Sequence, residues 1–306
     1  SGEETGGLAG VRWLVEHKRG LTDAGVALNE GGPLVLTPDG EKLRFVGISS
    51  AEKSFQSFSL TARGKGGHSS MPSPATDPVT PLARALVKVG ELRFPAKVLP
   101  AVKQSLAVRA RWEKPPLSSA LERAVASAPS VSPADDRILS AEPSVNNQIR
   151  TTCVATMLEA APQDNVLPTT AKATVNCRIL PDETRDGTRD ALVRAIGDNS
   201  IEVKPLEDIG VAPASPVTGE VPEAIRAAAA RLWPGVPVAD SMSTGATDSR
   251  HLREIGVPAY GISTAPITLG DALSGHAAHG PDERRPVRWL GDGVRFLKEI
   301  TLTLIR

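Results

Sequence analysis

Several short segments carry residue types able to hold a metal or move a proton. Ser1-Gly2-Glu3-Glu4-Thr5-Gly6-Gly7 sets two carboxylates side by side, and Asn29-Glu30-Gly31-Gly32 places a third after a short apolar run. Of the five histidines, His68, His276 and His279 lie in glycine-rich loops, which can present a catalytic group without burying their own backbone. His17 falls among charges on a helical face, and His251 stands beside Arg250 and Arg253, so both are read as solvated. Imidazole is a common zinc ligand, and Glu4, Glu30 or Asp248 could add oxygen ligands. Taken singly, each signal is weak. A loop histidine is most often plain surface, and adjacent glutamates are most often solvated charges.

Composition narrows the function classes. Acidic and basic residues balance at 35 each, so no net field draws the chain to nucleic acid or an anionic membrane, and neither partner is expected. No apolar run reaches the roughly 18 residues of a membrane span, and no apolar segment follows a basic N-terminus. A soluble protein is expected. Ser1 is not a natural start, so its compartment, cytoplasmic or exported, stays open. Cys153 and Cys177 lie in strand-like runs and are read as buried thiols, a disulfide being the lesser alternative.

The elements that must position these groups follow from periodicity. Leu8, Val11, Leu14 and Val15 have helical spacing up to Gly20, and Val26 to Leu28 reads as a short strand. Residues 43–49 and 55–62 alternate like paired strands. The loop "ARGKGGHSSMPSP" leads to a helix over 76–89. Residues 94–144 read weakly, with a helix over 117–126. Two strands, "RTTCVATMLEA" and "AKATVNCRILP", flank "APQDNVLPTT"; a helix over 185–196 and a strand over 201–203 follow. This strand-helix-strand-strand-helix-strand order predicts a compact α+β module. The remainder alternates helix (220–232), strand (237–239), helix (247–255), strand (258–262) and helix (288–304). The simplest architecture is an α/β domain built from both ends of the chain, residues 1–56 and 207–306, with an α+β module over 57–206 inserted between them.

Six stretches, "SGEETGG", "NEGG", "GKGGHSSMP", "NVLPTTAKATVNCRILP", "STGATDSRHL" and "AHGPDER", resemble in content and order the M20 family of zinc metallopeptidases and aminoacylases. "NQIRTTCVATML" followed by "NVLP" is most similar to the carboxypeptidase S and N-acyl-amino-acid hydrolase branch. The resemblance implies a zinc-peptidase-like α/β catalytic domain, N-terminally incomplete, carrying a ferredoxin-like α+β lid that dimerises. It implies two zinc ions, with cobalt or manganese as substitutes, and hydrolysis of an amide bond next to a free carboxylate in a small peptide or an N-acyl amino acid.

Residue by residue, the resemblance makes Glu3 the general acid/base and Glu4 a zinc ligand. The family often has Asp where Asn29 stands. An amide oxygen is the poorer ligand, so Glu30 is expected at the metal. His279, in His-Gly-Pro-Asp-Glu-Arg, matches the C-terminal histidine ligand better than His276, and Glu283 would orient its loop. His68 is expected to leave its own lid and donate to the oxyanion in a partner subunit's site. Arg178 would pair with the substrate carboxylate, and Asn165 would face the substrate or order the lid. Gly245 would turn backbone amides toward the site. Arg250 is an alternative carboxylate partner or a structural ion pair.

The family's upstream half-site, His-x-Asp and a bridging aspartate, does not occur before Glu3. The chain alone is therefore expected to be inactive and to expose strand edges. The alternative is a catalytically inactive dimerising or ligand-binding remnant. Tight binding of two zinc ions by this chain alone would exclude that alternative.

Overall fold

The computed structural model describes residues 9–206, 213–268, 270 and 287–305. In chain order its elements are α1 (Val11–His17), α2 (Arg19–Thr22), β1 (Ala27–Asn29), β2 (Leu34–Leu36), β3 (Leu43–Glu52), β4 (Ser54–Arg63), β5 (Gly67–His68), α3 (Val79–Glu91), α4 (Pro100–Ala110), α5 (Leu117–Ala126), α6 (Pro133–Ser140), α7 (Pro143–Ile149), β6 (Thr152–Glu159), β7 (Val166–Leu167), β8 (Thr170–Ile179), α8 (Arg185–Ile196), β9 (Glu202–Pro205), α9 (Glu220–Leu232), β10 (Val238–Ser243), α10 (Ser249–Glu254), β11 (Ala259–Gly261), β12 (Ile267–Thr268) and α11 (Leu290–Leu304). Among the described residues, no helix is long and apolar enough to cross a membrane.

Packing divides the chain into two units, one taking residues up to Glu52, Ala96–Ile149 and the C-terminal part, the other Lys53–Pro95 and residues 150–211. In the first unit a mixed sheet runs β1-β11-β3-β2-β12, with β10 on the other edge of β3. β1 lies parallel to β11 and β10 parallel to β3, while β2 and β11 run antiparallel to β3. Residues of opposite pleat bury opposite ways. Leu34, Leu36, Val46 and Ile48 pack with Ile225 and Ala229 of α9 and Phe296 and Ile300 of α11. Phe45 packs with Val108 of α4 and Ala239 of β10. Helices on both faces suit a buried, strongly apolar sheet.

The second unit is a four-stranded antiparallel sheet, β6-β8-β4-β9. Every second residue of β8 is buried, Ala171, Ala173, Val175, Cys177 and Ile179, and these meet Phe58 and Leu60 of β4, Leu82, Ala85 and Val89 of α3, and Leu192 and Ile196 of α8. Period two against period 3.6 is what lets two helices cover one face of a sheet. Thr184 caps α8 by accepting from Gly187 N, and Gly197 ends it at φ +60. The connectivity and strand order make this the expected ferredoxin-like module.

One expectation is corrected, and packing groups some residues differently from the expected boundaries. Cys153 and Cys177 are disulfide-bonded, not free thiols. They sit directly opposite each other across β6 and β8, with Cα atoms 4.0 Å apart. The boundaries 57–206 also differ from the packing. Residues 96–149 belong to the first unit, because α4 lies on its sheet through Val108, and the second unit begins at Lys53.

Candidate active site

In the first unit, three strand ends meet. β1 and β11 run in register as parallel neighbours, and the chain leaves β1 through Glu30-Gly31-Gly32. Gly32 has φ +54, and a Cβ there would lie 2.2 Å from Gly261 O and 2.6 Å from Gly47 O. Only glycine fits so close a backbone approach. Its N–H donates to Ser49 Oγ at 3.0 Å, and Ser263 N donates to Gly32 O, which pins the turn against β3 and β11. Asn29 Nδ2 donates to Ser249 Oγ at 3.0 Å and so ties this end to the start of α10. The ends of parallel strands are where open α/β sheets present ligands.

The loop between β10 and α10 holds Gly245, which is exposed and accepts at its carbonyl from Ser243 Oγ at 2.9 Å. Glu52, at the end of β3, fixes that loop. Its carboxylate accepts from Thr247 N at 3.1 Å and Thr247 Oγ1 at 2.7 Å, and from Arg253 Nη1 at 3.3 Å. Burial pushes the Glu52 carboxyl up, against the pull of Thr247 and Arg253. Arg253 also donates to Ala259 O at 2.8 Å and to Ser49 O at 3.2 Å. One buried ion pair thus joins β3, β11 and the loop. Sequence reading missed Glu52 and Arg253. The available signal was an acidic residue ending a ten-residue strand whose only other charge is Arg44.

Glu30 is exposed, and its carboxylate makes no hydrogen bond or ion pair among the described residues. It is therefore free to act as an oxygen ligand, while the amide of Asn29 is engaged with Ser249. Carboxylate oxygens and one imidazole form a donor set that suits zinc. Among the described residues, no three His, Cys, Asp or Glu side chains gather as a metal site. Glu3, Glu4, His276, His279 and Glu283 lie outside the described residues. His251 corrects the sequence reading, and Arg250 lies beside it. Both are 1 % exposed, and Arg250 Nε donates to His251 Nε2 at 3.3 Å. They stand on a short helix whose inner face packs into the unit, so neither is solvated. Burial of Arg250 supports the structural alternative for it over a substrate contact.

The second unit brings His68 and Asn165 together. β5 and β7 pair His68 with Val166, and Ser69 N donates to Asn165 O at 3.1 Å. The ring is exposed. Its Nδ1 accepts from Ser70 N at 3.2 Å and lies 2.9 Å from Ser70 Oγ. An accepting Nδ1 assigns the neutral ring's proton to Nε2, so Nε2–H is the outward donor.

Arg178 stands at the other end of the same ladder. It lies opposite Phe55, whereas Thr170 lies opposite Arg63, just before the His68 loop. Eight residues of strand separate Arg178 from Thr170, roughly 27 Å at about 3.4 Å per residue. The Arg178 guanidinium lies over the Phe55 ring, 5.3 Å from its centroid, and has no ion pair among the described residues. Lys53 is fully buried nearby, its Nζ donating to Arg150 O at 2.8 Å. Burial, with Arg178 and Arg150, lowers the Lys53 amine to about 7 against the opposing pull of Glu183. Positive charge is concentrated at this end of the sheet. Lys53 is the third residue that sequence reading missed.

Known proteins give independent support. The chain is 28 % identical over 292 residues to N-fatty-acyl-amino acid synthase/hydrolase PM20D1 of Xenopus tropicalis, covering 92 % of this chain and 54 % of that protein. It is 26 % identical to "Probable carboxypeptidase S-like 2" of Dictyostelium discoideum, covering 85 % and 49 %. The chain thus spans about half the length of the curated relatives it matches. Among solved structures, the M20 family metallo-carboxypeptidase Sso-CP2 of Sulfolobus solfataricus superposes with TM-score 0.63 at 16 % identity, covering 100 % of this chain and 69 % of that one. The di-peptidase Dug1p of Saccharomyces cerevisiae gives 0.64 at 12 %, covering 99 % and 64 %. At such identities these two speak for the fold alone. Residues 50–204 match the model of the M20 peptidase dimerisation domain. That match takes in half of the chain, and the protein belongs to the M20 peptidase family.

Proposed function

We propose that the whole protein hydrolyses an amide bond next to a free carboxylate, in a small peptide or an N-acyl amino acid. The observation that carries this reading is Arg178, a guanidinium with no carboxylate partner among the described residues, set beside Lys53 and Arg150. Its fork can take a carboxylate in two parallel hydrogen bonds. The relatives named for N-fatty-acyl amino acids and carboxypeptidase S support the same substrate class.

Each remaining residue then has a task. Glu3 takes a proton from the attacking water and gives it to the leaving amine. The His68 Nε2–H donates to the oxygen on which negative charge develops, an effect worth about 3–4 kcal/mol for one well-placed donor. Asn165 orders the loop that carries His68, and Gly245 offers backbone amides. Glu4, Glu30 and His279 would hold zinc, with cobalt or manganese as substitutes, in a site of two ions. Zinc held by these residues would supply Lewis-acid polarisation of the scissile carbonyl and a lowered pKa for bound water.

A homodimer completes the reading. His68 and Arg178 stand at opposite ends of one ladder, so one copy's second unit does not offer both to one substrate. We therefore assign His68 to the site of a partner copy. The edge strand β6 supports dimerisation, since it is exposed along Val154–Glu159 and carries Val154, Met157 and Leu158 outward. In the whole protein, hydrolysis of N-acyl amino acids should stop on chelation and return with zinc. Loss of at least about a hundredfold in kcat is expected for Glu3→Gln. Normal turnover by that variant would reject its role.

A further inference from the structure

A cavity of about 480 Å³ opens in the first unit between β2 and β3 on one side and α4 and α7 on the other. Its volume falls within the roughly 300–1,000 Å³ typical of small-molecule sites. Among the described residues, none of those assigned above to hydrolysis lines it. Val35, Phe45, Leu106 and Trp112 give it apolar walls, and among the described residues its cations are Arg44 and Arg109.

The two arginines differ in what they have left to offer. Arg109 is committed. Its Nε donates to Glu113 Oε1 at 2.8 Å, Nη1 donates to Ser144 Oγ at 2.7 Å, and Nη2 stands 3.5 Å from Glu142 Oε1. Arg44 is half-buried and, among the described residues, has one ring contact and no hydrogen bond or ion pair: its Cζ lies over the Trp112 ring, 5.6 Å from the centroid. Stacking uses the face of a guanidinium and leaves its in-plane N–H donors uncommitted. The cavity therefore combines an apolar interior with one cation ready for a planar anion.

We propose that this cavity binds an amphiphilic monocarboxylate, with its carboxylate on Arg44 and its alkyl chain against Phe45, Leu106 and Trp112. A neutral amphiphile would fill the same walls but leave the donors of Arg44 unused, and charge complementarity decides for the acid. The site rests on the first unit alone, so its failure leaves the hydrolytic reading untouched.

The test is calorimetric titration of the 306-residue chain with octanoate, decanoate and dodecanoate below their micellar concentrations, and with 1-octanol. Affinity should rise about fourfold per added methylene. Octanoate should bind at least about tenfold more tightly than 1-octanol. Arg44→Gln should bring acid and alcohol to within about twofold of each other while leaving 1-octanol binding unchanged. Ser105→Trp, at a half-buried position on the cavity wall, should block both ligands without moving the melting temperature. The proposal is overturned if no ligand saturates, if affinity ignores chain length, or if Arg44→Gln keeps the preference for the acid.

Discussion

Lys53 carries an amine into the interior of the second unit, where burial and two arginines hold it at about 7 against an ordinary 10.5. In the unfolded chain the amine keeps its proton up to about 10.5, so between those values the unfolded chain binds more protons. Stability should therefore rise with pH across that window, by up to about 1.4 kcal/mol per pH unit from this residue. Below pH 7 both states are protonated and the penalty is full and constant. Urea midpoints at pH 6.5 and pH 9 should show the rise in the native protein, and Lys53→Met should flatten it. An unchanged slope in the variant would remove Lys53 as its source. This residue was illegible in the sequence because its state depends on Arg178 and Arg150, about a hundred positions away or more. His68 was legible from its glycine-rich loop, but its proton position required Ser70 in place.

At the scale of elements, the charged pair Glu52–Arg253 replaces apolar packing where β3, β11 and the loop before α10 meet. Both side chains are at most 3 % exposed. Glu52→Ala would leave a buried guanidinium without its carboxylate, at a cost of about 3–5 kcal/mol. Chemical denaturation should show that loss, and a change below about 1 kcal/mol would mean that the carbonyls of Ser49 and Ala259 suffice for Arg253. At the neighbouring turn, Gly32→Ala adds strain of about 1–3 kcal/mol from φ alone, before its clash with Gly261 O. A melting temperature unchanged by that substitution would contradict the pinned turn.

The alternation in β4, the strand run of β8 and the helix of α8 were readable because their periods are local. α4 was not, since its buried residues, Ala101, Val102, Leu106, Val108 and Ala110, lie all round the helix and show no single face. β5 and β7, at two residues each, are too short to alternate. The disulfide required knowing that Cys153 and Cys177 share a register position, which strand runs alone do not fix.

At the scale of the whole molecule, the two units separate the candidate groups. Glu30 and Gly245 belong to the first, and His68, Asn165 and Arg178 to the second, where the ladder holds His68 and Arg178 apart. An exposed apolar edge invites pairing with another strand, and lysine placed there resists it. Leu158→Lys should shift the protein from dimer to monomer by light scattering. A dimer of undiminished stability would move the interface elsewhere. The two-copy active site is the central claim, and subunit complementation tests it most directly. In the whole protein, His68→Ala and Arg178→Ala should each be inactive alone. Unfolded together and refolded in equal amounts, they should regain about a quarter of native activity, because half of the dimers carry one intact site in two. No recovery, with mixed dimers shown to form, would place His68 and Arg178 in the service of one copy and contradict the account.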